Sequence, residues 1–274
     1  MNERVSTVIT NAIFSPSGAM RQNEGTVIMG SAVALVPYLP EHVDRYHAWM
    51  LDPWLREMTA SEPLSIEEEV EMQRSWHADD DKLTFIVLDL GLMADPGDRA
   101  ADGARGSAVL ASAVGAVAQC AAARVSAMVG DVNLFFNGTD DEGEEDRGVC
   151  EVEVMLAEPA ARRRGLGTEA VQLLLGYAAQ RCAVRRFYCK IGDANTASIA
   201  MFKRLGFAVC NHVAAFEETE LELLVPGEAA AAGSGATEPA PFEQAYSRAS
   251  VHEGVAFEFE PTVAIIGTTA GGAD

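Results

Sequence analysis

Residues 151–170 read EVEVMLAEPAARRRGLGTEA. Val152, Val154 and Leu156 alternate with Glu151, Glu153 and Met155, the period of a strand with one apolar face. EPAARRR then turns with three consecutive arginines, and Gly165 and Gly167 open a helix that runs to about Arg181. A glycine-rich turn at a helix start is an anion site. The first backbone N–H groups have no helical partner, and the positive end of the helix points at the ligand.

Three readings compete for the glycines. A P-loop needs Lys and then Ser or Thr after its second glycine, and this stretch has neither pair. A dinucleotide fold accounts for Gly165, Gly167 and Ala170 as G-x-G-x-x-A, with Asp193 as its later acid. In that fold the strand runs almost directly into the first glycine, whereas EPAARRR intervenes here, so a nicotinamide-dependent dehydrogenase is the runner-up. The third reading is R-x-x-G-x-G, Arg162 to Gly167, between a strand and a long helix. Glycines let the backbone close on phosphate oxygens, and arginines add charge that peptide dipoles lack. Arg162, Arg163, Arg164, Arg181, Arg185, Arg186, Lys190, Lys203 and Arg204 supply nearly half of the 20 basic residues in a chain of net charge -21. A polyanionic ligand needs such a patch.

The acidic balance argues against general binding to nucleic acid or to an anionic membrane surface, because phosphate contacts need Lys and Arg. It suits a cationic partner, or solubility alone. At 49% hydrophobic and 22% charged, the composition fits a globular core. Five cysteines with no C-x-x-C point to reduced thiols and a cytoplasmic protein. The histidines show no H-E-x-x-H spacing, so no metal is expected.

Residues 1–26 read as a disordered start. TVIMGSAVALVPYLP (26–40) reads as one strand ending at Pro37, followed by an amphipathic helix with Val43, Tyr46, His47 and Met50 at helical spacing. Ser65 and Glu68 form a capping box for a second helix to about Trp76. LTFIVLDL (83–90) and MVGDVNLFF (128–136) are strands, separated by an Ala/Gly-rich insertion at 91–126. The uncharged part of that insertion is too poor in large apolar residues for a convincing membrane span. RRFYCKI (185–191) is a strand, NTASIAMFKRLGF a helix ending at Gly206, and AFEETELELLV (215–225) closes the series. The order gives an α/β (α+β) fold with a mixed central sheet and helices on both faces. It forms one domain over 27–225; 226–274 is linker and tail, with an extra strand at 254–266 as one reading.

The strand, arginines and glycines resemble motif A of the GCN5-related N-acetyltransferase (GNAT) superfamily. IGDANTASIAMFKRLGF resembles its motif B, through Asn195, Ser198, Phe202, Gly206 and Phe207. Together with VPYLPEHVDRYHAWM, TASEPLS and SWHADDDKLTFIVLD, they resemble the N-acetyltransferase 9 family over roughly 27–225. This resemblance implies acetyl-CoA as cosubstrate, held at its pyrophosphate by Arg162, Arg163, Arg164, Gly165, Leu166, Gly167 and Thr168. It implies that Asn195, Ser198 and Phe202 close that site, and that the backbone of Met155, Leu156 and Ala157 splays from the next strand. N–H groups freed there would pair with the pantetheine arm and polarise the acetyl carbonyl.

Direct transfer to an amine in a ternary complex also needs a base. Glu151 and Glu153 share one strand face, and Glu62 lies in a loop that borders the acceptor site in related folds. Many superfamily members carry Tyr where this chain has Phe202, so the thiolate leaves unaided or another group protonates it. The acceptor expected from the resemblance is a protein or peptide amine. An α-amine of pKa ~8 is about a tenth neutral at pH 7, whereas lysine near ~10.4 is neutral below about a thousandth. The alternative to a proficient enzyme is a weakly active scaffold that binds a partner such as a cytoskeletal protein.

Overall fold

The computed structural model describes residues 23–93, 121–138, 143–225 and 240–255. Its strands are β1 (Val27–Met29), β2 (Val33–Pro37), β3 (Lys82–Asp89), β4 (Met128–Phe135), β5 (Val149–Leu156), β6 (Arg186–Gly192), β7 (Ala208–Val213), β8 (Glu218–Leu224) and β9 (Ser250–His252). They form one sheet in the order β7-β8-β6-β5-β4-β3-β2-β1-β9. Every neighbouring pair is antiparallel except β5 with β6. The sheet is therefore mixed, as the sequence implies.

Period-two alternation sends side chains to two separate cores. Leu83, Phe85 and Val87 of β3 join Cys150 and Val152 of β5 beneath α6 (Leu166–Arg181), α7 (Thr196–Arg204) and α8 (Pro241–Arg248). Ile86 and Leu88 face the other way with Met155 and Ala157, against α1 (Val43–Met50), α2 (Pro53–Met58) and α3 (Ile66–Ala78). Two short helices, α4 (Leu90–Met93) and α5 (Ala121–Ala127), occupy the two ends of the insertion, whose residues 94–120 lie outside the described ones. No described helix is long and apolar enough to cross a membrane.

Caps set the helix starts. The Ser65 hydroxyl accepts from Glu68 N while Ser65 N donates to the Glu68 carboxylate, the expected box. Asn195 caps α7 by accepting from Ser198 N at 3.2 Å.

The single strand expected over 26–40 is a hairpin. Gly30 N donates to Val33 O at 2.9 Å, so the chain reverses over Gly30–Ala32. The Glu169 carboxylate on α6 holds that turn, accepting from Ser31 Oγ at 2.7 Å and Ala32 N at 3.0 Å. Pattern reading also passes over α2, β7 and α8. Asp52 caps α2 with Pro53 at its first position. In α8, Phe242 and Tyr246 lie one turn apart and are both buried; Phe242 packs edge-on against Phe187 of β6. Beyond α8 the chain pairs β9 with β1 over Ser250–His252, and Val255 N bonds Gly25 O. The strand expected at 254–266 lies mostly outside the described residues, as do most of the N-terminal start and the linker at 226–239.

Candidate functional site

The parallel pair at the centre of the sheet is short. β5 and β6 share only Val149–Arg186, Cys150–Phe187 and Glu151–Tyr188, and then they part. Ala157 N turns to β4, donating to Val129 O at 2.9 Å, and Gly148 O accepts from Arg186 on β6. Alternation from both ends aims the N–H groups of Val154 and Leu156 into the gap and those of Met155 and Ala157 towards β4. Of the expected backbone trio, Leu156 is thus the one whose donor faces the opening, joined by Val154. Ala157 N–H is already spent.

At the mouth of the gap, a short 3-10 turn at Pro159–Ala161 leads into α6. Gly165 caps the helix at φ 84°, a conformation that strains any residue with a Cβ. The first helical bond runs from Glu169 N to Gly165 O, leaving the N–H groups of Leu166, Gly167 and Thr168 without helical partners. Gly167 serves closeness: a Cβ there would stand 3.2 Å from Leu156 Cδ1. Bare amides at a positive helix end, beside a strand with free donors, fit a diphosphate joined to an extended arm.

The three arginines divide their work. Arg162 turns inward, with Nε on Leu156 O at 2.9 Å, its terminal nitrogen on Ala157 O at 3.0 Å, and its guanidinium over the Trp54 ring. Arg164 pairs with the buried Asp89 carboxylate at 2.6 Å. Arg163, exposed and at φ 61°, has no ion pair among the described residues. The wider basic patch is also dispersed. Arg181, Arg185, Arg186 and Lys190 pair with Glu253, Asp146, Glu222 and Glu151. Arg163, Lys203 and Arg204 are the exposed cations left near the glycine turn and on α7.

On the α1–α3 face the two strand glutamates differ. Glu151 is engaged by Lys190 Nζ at 3.0 Å. Glu153 has no ion pair among the described residues and is exposed at its tip, while its stem lies among neighbouring β4 and β5 side chains. That shielding pushes its carboxyl up to about 7; the Glu151 and Asp131 charges add to the rise, and Lys82 and Lys190 oppose it. A carboxylate that gains or loses its proton near neutrality suits general-base work. Glu62 is exposed in the loop before α3. Phe202 is buried against Phe207, ring centroids 5.0 Å apart, so it packs the core under α7.

The lip over this face is tied to the glycine turn. Glu158 accepts from Trp49 Nε1 at 2.6 Å and pairs with Arg45, both on α1, while Trp54 of α2 rests on Arg162. A polar file that sequence reading missed lies beside Glu153. Thr84 Oγ1 donates to Asn133 Oδ1, Asn133 Nδ2 to Asp131 Oδ2, and the Tyr46 hydroxyl approaches the same oxygen. Part of the signal was present: Asp131 interrupts an otherwise apolar strand and Lys82 stands at the head of another, where buried charge is costly. Among the described residues no three His, Cys, Asp or Glu side chains converge as metal ligands.

Residues 33–208 match the model of the acetyltransferase (GNAT) domain family. The chain is 42% identical over 208 residues to the human alpha/beta-tubulin-N-acetyltransferase 9, covering 75% of this chain and 86% of that protein. It is 40% identical over 205 residues to an N-acetyltransferase 9-like protein of Dictyostelium discoideum, covering 74% and 87%. Among solved structures, a ribosomal L7/L12 alpha-N-protein acetyltransferase superimposes with a TM-score of 0.50 at 15% identity, covering 72% of this chain and 92% of that one. The spermidine N-acetyltransferase of Vibrio cholerae, solved with CoA and spermine, gives 0.50 at 12% identity, covering 74% and 96%.

Proposed function

Because the chain belongs to the GNAT acetyltransferases and, within them, to the N-acetyltransferase 9 family, we propose that its acceptor is the α-amine of a tubulin chain and that Glu153 is the base. The enzyme is an acyltransferase that uses acetyl-CoA to acetylate an amine. Bound acetyl-CoA supplies the activated acetyl group. The amides of Leu166, Gly167 and Thr168 and the side chain of Arg163 would hold its diphosphate. Val154 and Leu156 present N–H donors along the gap, the direction in which an acyl oxygen is polarised. Glu153 takes the proton from the acceptor ammonium on the α1–α3 side and releases it to water.

The observation that carries this reading is the three-rung junction with Glu153 two residues beyond it on the sheet face that packs α1–α3. The tubulin acceptor rests on the human relative's name, and the α-amine on its larger neutral fraction at pH 7, worth ~3 kcal/mol over lysine. The free thiols of Cys150, Cys182, Cys189 and Cys210 support a reducing compartment, hence the cytoplasm.

The test is mass spectrometry of tubulin peptides after incubation with the enzyme and acetyl-CoA. Acetyl on the N-terminal amine is the expected product; acetyl confined to lysines, or none above an enzyme-free control, removes the acceptor. For Glu153 the sign is definite. The base must be ionised, so kcat/KM rises as pH climbs through about 7. Glu153→Gln should lose that limb and about 10²–10⁴ in rate, and a retained limb transfers the role elsewhere.

A further inference from the structure

Lys82 opens β3 on the face that carries Glu153, yet it is only 3% exposed. Its ammonium lies over the rings of Trp76 and Phe135, aromatic partners rather than a carboxylate. Burying a cation without a contacting anion is unfavourable unless a nearby field compensates.

The register places that field. Thr84, Asn133 and Glu153 form one row across β3, β4 and β5, and Lys82, Phe135 and Glu151 form the next. Asp131, opposite Met155, flanks the first row on its other side. It is 1% exposed, and its Oδ1 has no hydrogen-bond partner among the described residues. One buried ammonium and one buried carboxylate thus bracket Glu153.

We propose that Lys82 is a positioning residue for acetyl transfer: its ammonium, seated on the Trp76 and Phe135 rings, is the counter-charge to the Glu153 carboxylate during proton abstraction. This rests on the assignment of Glu153 as the base.

The electrostatics of the surroundings agree. Burial pushes Lys82 down to about 7, while Asp131, Glu153 and Asp79 at the end of α3 pull it back up. Burial drives Asp131 up to about 6, with Lys82, Asn133 and Tyr46 opposing. Glu151 and Lys190 act on Glu153 from β5 and β6, and Glu69 of α3 lies behind Tyr38 and Tyr46. The positive charge on Lys82 favours ionised Glu153, so its removal raises the pH at which the base becomes available.

The experiment measures kcat/KM against pH for the full-length wild type, Lys82→Met, Lys82→Arg and Asp131→Asn, with Glu153→Gln as reference. Opposite charges about two strand spacings apart couple by roughly one pH unit. Lys82→Met should therefore move the acidic limb up by about one unit and lower activity at pH 7 by roughly five-fold. At pH 9, where Glu153 is ionised in both, the two enzymes should converge. Lys82→Arg, charged across the whole range, should keep the limb at or below its wild-type position. Asp131→Asn should move it down, a sign that lost packing does not produce and a readout independent of whether Lys82→Met folds. An unmoved limb in folded Lys82→Met, or an unmoved or upward one in Asp131→Asn, overturns the proposal. If Glu153→Gln keeps the limb, the base assignment fails instead; if it loses the limb while Lys82→Met leaves it in place, only the role of Lys82 falls.

Discussion

Gly176, in the middle of α6, is the point where α8 crosses, and replacing it with alanine tests the docking of the C-terminal segment. A methyl there would come within 2.5 Å of Tyr246 Cγ, and nearer still to its Cβ. Neither helix has a flexible tip to give way, so α8 must slide or lift. Sliding alone is ordinary overpacking, about 1–3 kcal/mol. Lifting forfeits part of the burial of Phe242 and Tyr246, each about 1.5–3 kcal/mol when complete. A cost of about 2–4 kcal/mol is expected, lowering Tm by roughly 5–15 °C for a domain of this size. The same substitution made in a Tyr246→Gly background no longer meets those side-chain atoms. It should then stabilise by about 1 kcal/mol, since alanine outranks glycine inside a helix. Urea titrations of the four proteins close the double-mutant cycle. The reasoning is refuted if Gly176→Ala costs the same in both backgrounds.

Arg163→Ala should raise KM for acetyl-CoA about ten-fold with little change in melting, the loss of one charge-assisted contact to phosphate. Arg164→Ala should do the reverse, destabilising by about 1–3 kcal/mol because buried Asp89 loses its cation, with KM nearly unchanged. Equal effects on KM would show that the two arginines share the phosphate. Glu169→Ala should cost about 1–2 kcal/mol and speed amide exchange at Ser31 and Ala32, whose N–H groups it binds; unchanged exchange would mean that Gly30 alone holds the turn.

The site was legible in the sequence where local chemistry dictates it. Gly165 at positive φ, the Asn195 cap and the alternation of Glu151 and Glu153 with Val152 and Val154 are properties of short segments. Features created by distant partners were not. The β1–β2 turn is held by a glutamate 138 residues away, so nothing near Gly30 announces it beyond the glycine itself. The eight residues of α8 make a marginal helix alone and gain their stability from the groove at Gly176. The arginines illustrate the same limit: their number was plain, but their division among carbonyls, Asp89 and solvent depends on where β3 and β5 end. Lys82 at the start of β3 and Asp131 inside β4 stood in view as charges, without the row of Glu153 between them to give them meaning.

Among the described residues, three rungs are all the backbone ladder between the slab β6-β8-β7 and the rest of the sheet. Within the sheet, two slabs meet at a fulcrum near Glu151 and Tyr188, with a notch above it, while one core beneath α6, α7 and α8 runs under both. Whatever lodges in the notch bears load between the slabs, because its own donors and acceptors stand in for the absent rungs. Ligand affinity and the stiffness of the protein are then drawn from the same contacts. Each turnover would tighten the joint on loading and slacken it on release, without any separate moving part.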